Sequence, residues 1–221
     1  MTGPWHVANA ALKEEVQATL DKFYPNLIFQ VRGDTASVVG TFPVMHDNVV
    51  IDRFAILMTF PNNYPDDLPV VREIGGRLPW ILDRHVNLNG TLCLLVPDEW
   101  FILAEDQSFA AFMAGPVRNF FLGQALVEAG QEWPFGERQH GHRGLIDAYE
   151  EMLGVNGRDT ILRYLTSLQR HEIKGHWECP CGSSQTVRRC HLDPLRALQK
   201  KISPKNARRM FERIQPILKA V

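Results

Sequence analysis

Apolar and polar positions follow two different periods along this chain. In NAALKEEVQATLDKFY (9–24), Ala11, Leu12, Val16, Leu20 and Phe23 recur at helical spacing with charges between them. That predicts an amphipathic helix, which Pro25 ends. Three β-rich runs follow: LIFQVRG at 27–33, ASVVGTFPVM at 36–45 and VVIDRFAILMTF at 49–60, separated by Gly33-Asp34 and His46-Asp47-Asn48. Such short connections predict an antiparallel meander, with VVRE at 70–73 as a fourth strand. Beyond it no long period persists up to Trp100, so this stretch reads as an extended segment packed on the sheet. Residues 107–130 read as helix interrupted near Gly115-Pro116, 132–144 as a loop, and LIDAYEEMLG and DTILRYLTSLQR as helices. Two short helices are expected around Ser203-Pro204.

At 221 residues and 45% hydrophobic content the chain can build one or two cored domains. Its formal charge of −1 argues neither for nor against a polyanionic partner. The charge is unevenly placed: 187–221 carries ten basic residues against Asp193 and Glu212. This shift marks a boundary near 170–175, and the expected domains are 1–172 and 173–221. No apolar run follows a basic start as in a secretory signal, and none reaches the ~18–20 residues of a membrane span. A soluble, cytoplasmic protein with reduced thiols is expected, with no membrane partner.

The four cysteines fall into two groups. Cys179, Cys181 and Cys190 lie within twelve positions, with His191 adjoining the last; Cys93 stands alone. Four soft or borderline ligands in HWECPCGSSQTVRRCH suit a tetrahedral zinc ion, and a complete ligand set makes the site structural rather than catalytic. The 175–221 segment has few aromatics and little core, so it is expected to fold around the metal. Cys93 between Leu92 and Leu94 reads, on local sequence alone, as a small buried hydrophobe. The alternative is a nucleophilic thiol carrying an acyl group, with His85, Asn87, Asn89 and Thr91 just upstream as loop-forming or oxyanion-stabilising groups. Trp133, Glu137 and His140 form a second polar-aromatic group whose reading is structural capping or a supporting role near Cys93.

Residues 64–100 contain Tyr64-Pro65, Leu68-Pro69, His85-Val86-Asn87, Gly90-Thr91-Leu92-Cys93-Leu94 and Trp100. In this order they resemble the catalytic stretch of ubiquitin-conjugating enzymes, and the order of elements agrees from Ala11 to about Gly130. Val86 stands where that family has Pro, and the Asn-to-Cys interval is about two residues shorter. In this the chain looks most like the bacterial branch found in ubiquitin-like conjugation operons and CBASS antiphage operons. The resemblance implies an α+β, UBC-like fold: an N-terminal helix, a four-stranded antiparallel meander and C-terminal helices. It also implies Cys93 as thioester nucleophile, Asn87 as oxyanion-stabilising or loop-ordering residue with Asn89 as the alternative, and His85 as the residue shaping the loop. CPCGSSQTVRRCH is similar to the SEC-C zinc motif, with Ser184 where Gly is usual, which implies a small zinc-stabilised C-terminal module.

The expected function is acyl transfer through Cys93. The donor would be the C-terminus of a ubiquitin-like protein or of a cGAS-like nucleotidyltransferase, and the acceptor an amine, in antiviral defence. No P-loop or Gly-rich nucleotide motif is visible, so an activated acyl group must arrive from elsewhere, with a separate activating enzyme as one source. Two alternatives stand beside it: a non-catalytic UBC-like binding module, and a nucleic-acid-binding protein using the zinc knuckle and basic tail. Nucleic acid is not the expected partner.

Overall fold

The computed structural model describes residues 3–47, 49–136 and 142–220. Helices α1 (Trp5–Ala8) and α2 (Ala10–Phe23) open the chain, with the Asn9 side chain accepting from the Leu12 N–H at the start of α2. Strands β1 (Leu27–Arg32), β2 (Thr35–His46), β3 (Val49–Thr59) and β4 (Val70–Glu73) follow. A 3₁₀ turn at Leu82–Arg84 leads to α3 (Pro97–Leu103), α4 (Phe109–Phe112), a π turn at Met113–Val117 and α5 (Arg118–Glu128). The rest is helical: α6 (His142–Leu153), α7 (Arg158–Leu168), a 3₁₀ turn at Val187–Arg189, α8 (Leu192–Lys201) and α9 (Pro204–Ala220). This is an α+β fold.

The sheet is the expected meander, antiparallel throughout in the order β1-β2-β3-β4. Register follows from burial. Phe42 of β2 pairs with Phe54 of β3, and Val38 with Met58, and all four point into the core. Phe121 of α5 packs on both Phe42 and Phe54, at ring separations of 5.4 and 4.8 Å. Gly40 at φ +141 lets β2 pass the Asn26 carbonyl so closely that no Cβ would fit. The π turn coincides with Pro116, whose missing N–H widens the helix where the sequence foretold an interruption.

The described residues divide into two compact units. One holds residues up to 97 with 105–136; the other holds 98–104 with 142–220. The second unit therefore begins well before 173. Helices α6 and α7 bury Ile146, Tyr149, Leu153, Ile161, Tyr164, Leu165 and Leu168 in one cluster with Leu195, Ile202, Ala207, Met210, Ile214 and Leu218. The C-terminal segment thus has an apolar core beyond its Cys and His residues, contrary to expectation, because α6 and α7 supply the aromatics it lacks. The two expected short helices are α8 and a 17-residue α9.

Residues 97–103 are helical, not extended. Pro97 begins α3, with Asp98 and Glu99 in its first turn, a helix-start signal that the weak apolar period concealed. Asp98 anchors this segment in the second unit. Tyr149 donates to its Oδ2 at 2.5 Å and Arg213 to its Oδ1 at 2.6 Å. Burial, with the Asp98 carboxylate alongside, pushes the Tyr149 phenol far above its ordinary value. Among the described residues no helix is long and apolar enough to cross a membrane.

Candidate functional site

Cys93 lies on a short hairpin-like excursion between β4 and α3. Leu92 donates to the Val71 carbonyl of β4, Val86 and Leu92 form an isolated antiparallel bridge, and Arg72 bridges Thr91. Along an extended backbone neighbouring side chains face opposite ways. With Val86 and Leu92 buried at 1% and 8% exposure, Cys93 is turned outward, and it is exposed. The buried-hydrophobe reading of Leu92-Cys93-Leu94 fails for that reason. Protein behind the sulfur still displaces water, and this desolvation pushes the thiol above its ordinary value. The group is reachable from solvent.

The three residues expected at this centre share the loop. His85 has φ 52, left-handed backbone, and its carbonyl accepts the Cys93 N–H at 2.9 Å. Its ring packs against Trp133 at 4.4 Å, tilted by 35°. Asn87 spans the turn: its backbone N–H donates to the Thr91 carbonyl at 2.9 Å, and its Nδ2 reaches the Thr91 carbonyl at 3.1 Å and Thr91 Oγ1 at 3.0 Å. Asn89 accepts from the Thr91 N–H and hydroxyl through Oδ1, at 3.1 and 2.7 Å. Asn87 therefore acts as the clamp of the loop, its amide hydrogens directed at Thr91. Gly90 closes the turn at φ +76 beneath the Trp80 ring.

Two residues that escaped the sequence reading support this loop. Gln124 of α5, fully buried, accepts from Arg84 Nε at 2.8 Å and donates to the Arg84 carbonyl at 2.7 Å. Glu128, one turn on, pairs with Arg84 and with Arg77, and Arg77 also grips Asp52 at 2.6 Å. A Gln within the apolar run NFFLGQALVEAG was the available signal, since a buried amide needs partners. Trp133 packs against Gly123 so tightly that a Cβ there would collide with the ring. Glu137 and His140 lie outside the described residues.

Cys179, Cys181, Cys190 and His191 do come together, their ligand atoms all within 4.8 Å of one another. Cys190 Sγ lies 3.1 Å from His191 Nδ1, Cys179 Sγ 3.4 Å from the same nitrogen, and Cys181 Sγ 3.5 Å from Cys190 Sγ. A tight turn builds the set. Glu178 bridges Thr186, Cys179 donates its N–H to the Gln185 carbonyl, and Gly182 and Ser184 take positive φ of 83° and 59°. Arg163 of α7 donates to the Pro180 carbonyl at 2.8 Å, tying the turn to the helical core. Burial pushes the Cys179 thiol up to about 11, while the Ser183 hydroxyl, 3.2 Å away, holds Cys181 down to about 6. The geometry can hold a metal ion.

Comparison with protein-family models, curated proteins and solved structures gives no match. The Cys93 loop and the three-Cys, one-His set therefore stand on their own geometry.

Proposed function

We propose that this protein is an acyl carrier of the ubiquitin-conjugating type, with Cys93 as the thioester nucleophile and a structural zinc ion in its second unit. The observation that carries the reading is the exposure of Cys93 on a loop that follows a helix and a four-stranded antiparallel meander, the order of elements in the family its motifs resemble. In the first step the Cys93 thiol gives up its proton to solvent and its sulfur bonds to the acyl carbon of an activated C-terminus as the donor's leaving group departs. In the second, an amine nitrogen bonds to that carbon, the sulfur leaves as thiolate, and the amine's proton passes to solvent. His85 shapes the loop and Asn87 orders it through Thr91, so Asn89 Nδ2 is the side-chain amide proposed for the oxyanion. The donor is the C-terminus of a ubiquitin-like protein or of a cGAS-like nucleotidyltransferase, and the setting bacterial antiphage defence in the cytoplasm.

Tetrahedral zinc with bonds of ~2.0–2.3 Å places its ligand atoms roughly 3.3–3.8 Å apart. Three separations among these thiols and the imidazole, 3.1, 3.4 and 3.5 Å, lie close to that range, and all four ligand atoms fall within 4.8 Å of one another, so small side-chain shifts would close the set on the ion. Cys179, Cys181, Cys190 and His191 would hold it, and the ion would supply cross-linking of the 179–191 turn rather than chemistry.

The test is incubation of the full chain with an activated donor, followed by electrophoresis with and without reductant. A reductant-sensitive adduct that Cys93→Ala abolishes is expected. An adduct that persists in Cys93→Ala overturns the assignment.

A further inference from the structure

We infer that Gln124 is a positioning residue for Cys93: its buried amide sets the backbone at Arg84 and His85, and through it the carbonyl from which Cys93 hangs. The inference rests on Cys93 being the acyl-carrying thiol. Three observations lead to it. Gln124 has no solvent exposure, yet both ends of its amide go to one residue, the oxygen to Arg84 Nε at 2.8 Å and the nitrogen to the Arg84 carbonyl at 2.7 Å. Those partners admit a single amide orientation, because Arg Nε only donates and a carbonyl only accepts. The peptide so held leads directly into His85, whose φ of 52 is a sparsely populated conformation that surrounding structure must impose. Finally, the His85 carbonyl is the acceptor of the Cys93 N–H.

Helix α5 thus grips the loop in adjacent places. Gln124 holds the Arg84 main chain, and Gly123 makes room for Trp133, which packs against His85. Glu128 holds the Arg84 guanidinium from one turn further along. Of these, only Gln124 contacts both the side chain and the backbone of the loop. A side chain kept for packing alone would be apolar here, since burying an amide without partners is costly. With the amide removed, the Arg84 carbonyl is left unsatisfied and His85 can relax toward ordinary backbone angles. Cys93 then moves out from the protein that backs it and becomes better hydrated.

Two variants test this in the full chain. Gln124→Met keeps length and apolar bulk; Gln124→Glu keeps the acceptor for Arg84 Nε but opposes a carboxylate oxygen to the Arg84 carbonyl. Iodoacetamide labelling of Cys93 is followed by peptide mass spectrometry across pH, together with amide exchange of the Cys93 N–H. Expected in both variants are labelling at neutral pH faster by about threefold or more, and a pH midpoint moved down toward the ordinary thiol value. Cys93 amide exchange should quicken, and adduct formation with an activated donor should fall by about tenfold or more, as misplacement of a reacting group does. General destabilisation would quicken exchange throughout the first unit, so the distinguishing result is faster labelling and exchange at Cys93 with exchange in β2 and β3 unchanged. Folded variants whose labelling midpoint and Cys93 exchange match wild type overturn the inference. Should neither variant fold, exchange in the wild type decides: the Gln124 side-chain amide and the Cys93 N–H must open together, and independent opening refutes the link. Absence of any adduct in the wild type sinks the conjugating function while the labelling and exchange data still judge Gln124.

Discussion

Gly90 and Gly76 have nearly the same φ and different surroundings, and that pair separates two contributions to the Cys93 loop. Gly90 sits at φ +76 and Gly76 at φ +73. A Cβ on Gly76 meets nothing within 4 Å, while one on Gly90 would lie 2.8 Å from the Trp80 ring. Alanine at a left-handed position costs about 1–2 kcal/mol, offset by about 0.4–1 kcal/mol from the stiffer unfolded chain. Gly76→Ala should therefore cost about 1 kcal/mol by this balance. Gly90→Ala must in addition displace Trp80, which is 56% exposed and so can swing away rather than strain the backbone. Losing the covered part of that ring, about 100 Å², adds up to about 2.5 kcal/mol. The two-unit chain calls for a local measurement, so native-state hydrogen exchange over β3 and β4 is the assay, with iodoacetamide labelling of Cys93 beside it. Gly90→Ala should cost clearly more than Gly76→Ala and should alter Cys93 labelling, whereas Gly76→Ala should leave labelling alone. Equal costs within about 0.5 kcal/mol would refute the reasoning, because the backbone contribution is common to both.

Three further outcomes follow from the geometry. Chelation should melt the 179–191 turn but leave α6, α7 and α9 protected in exchange experiments, since their apolar cluster persists without an ion; Ser184→Gly, relieving φ 59, should slow chelator-driven loss by up to about 1 kcal/mol in binding terms. Tyr149→Phe should destabilise the second unit by about 1–3 kcal/mol, read as faster exchange in α3, because the buried Asp98 carboxylate loses its hydroxyl donor. The Arg77 hydrogen bonds hold the Asp52 carboxyl below the usual carboxylate range, so their stabilisation is present above that range and disappears as pH falls through it; Asp52→Asn should flatten the acid limb of the first unit's stability curve.

Much of this architecture was legible in the residues. Period and punctuation placed α2, the four strands and the break in the 107–130 helix to within a residue or two, because each buries one face with regular spacing. The three-Cys, one-His cluster was legible because chelation demands residue types at short intervals, and these four side chains do come together. What stayed hidden depended on distant partners. Nothing local announces that Asp98 will meet Tyr149 and Arg213, and with its apolar period weak the Pro97 helix start was passed over, so α3 read as extended chain. Gln124 looked like one polar position in an apolar helix until Arg84, forty residues earlier, came beside it. The direction of Cys93 turned on a bridge between Val86 and Leu92 that six residues of sequence do not disclose.

Residues 98–104 belong with 142–220, while the chain on either side of them belongs elsewhere. The polypeptide therefore enters the second unit, leaves it and returns, and no single cut separates the two. Truncation at 172 strips α6 and α7 of their companions, and truncation at 141 still leaves Asp98 behind without Tyr149 or Arg213. Shuffling by simple end-to-end fusion could not have traded the half that carries the three-Cys, one-His set as a cassette, and deletion studies of its role require point substitutions instead.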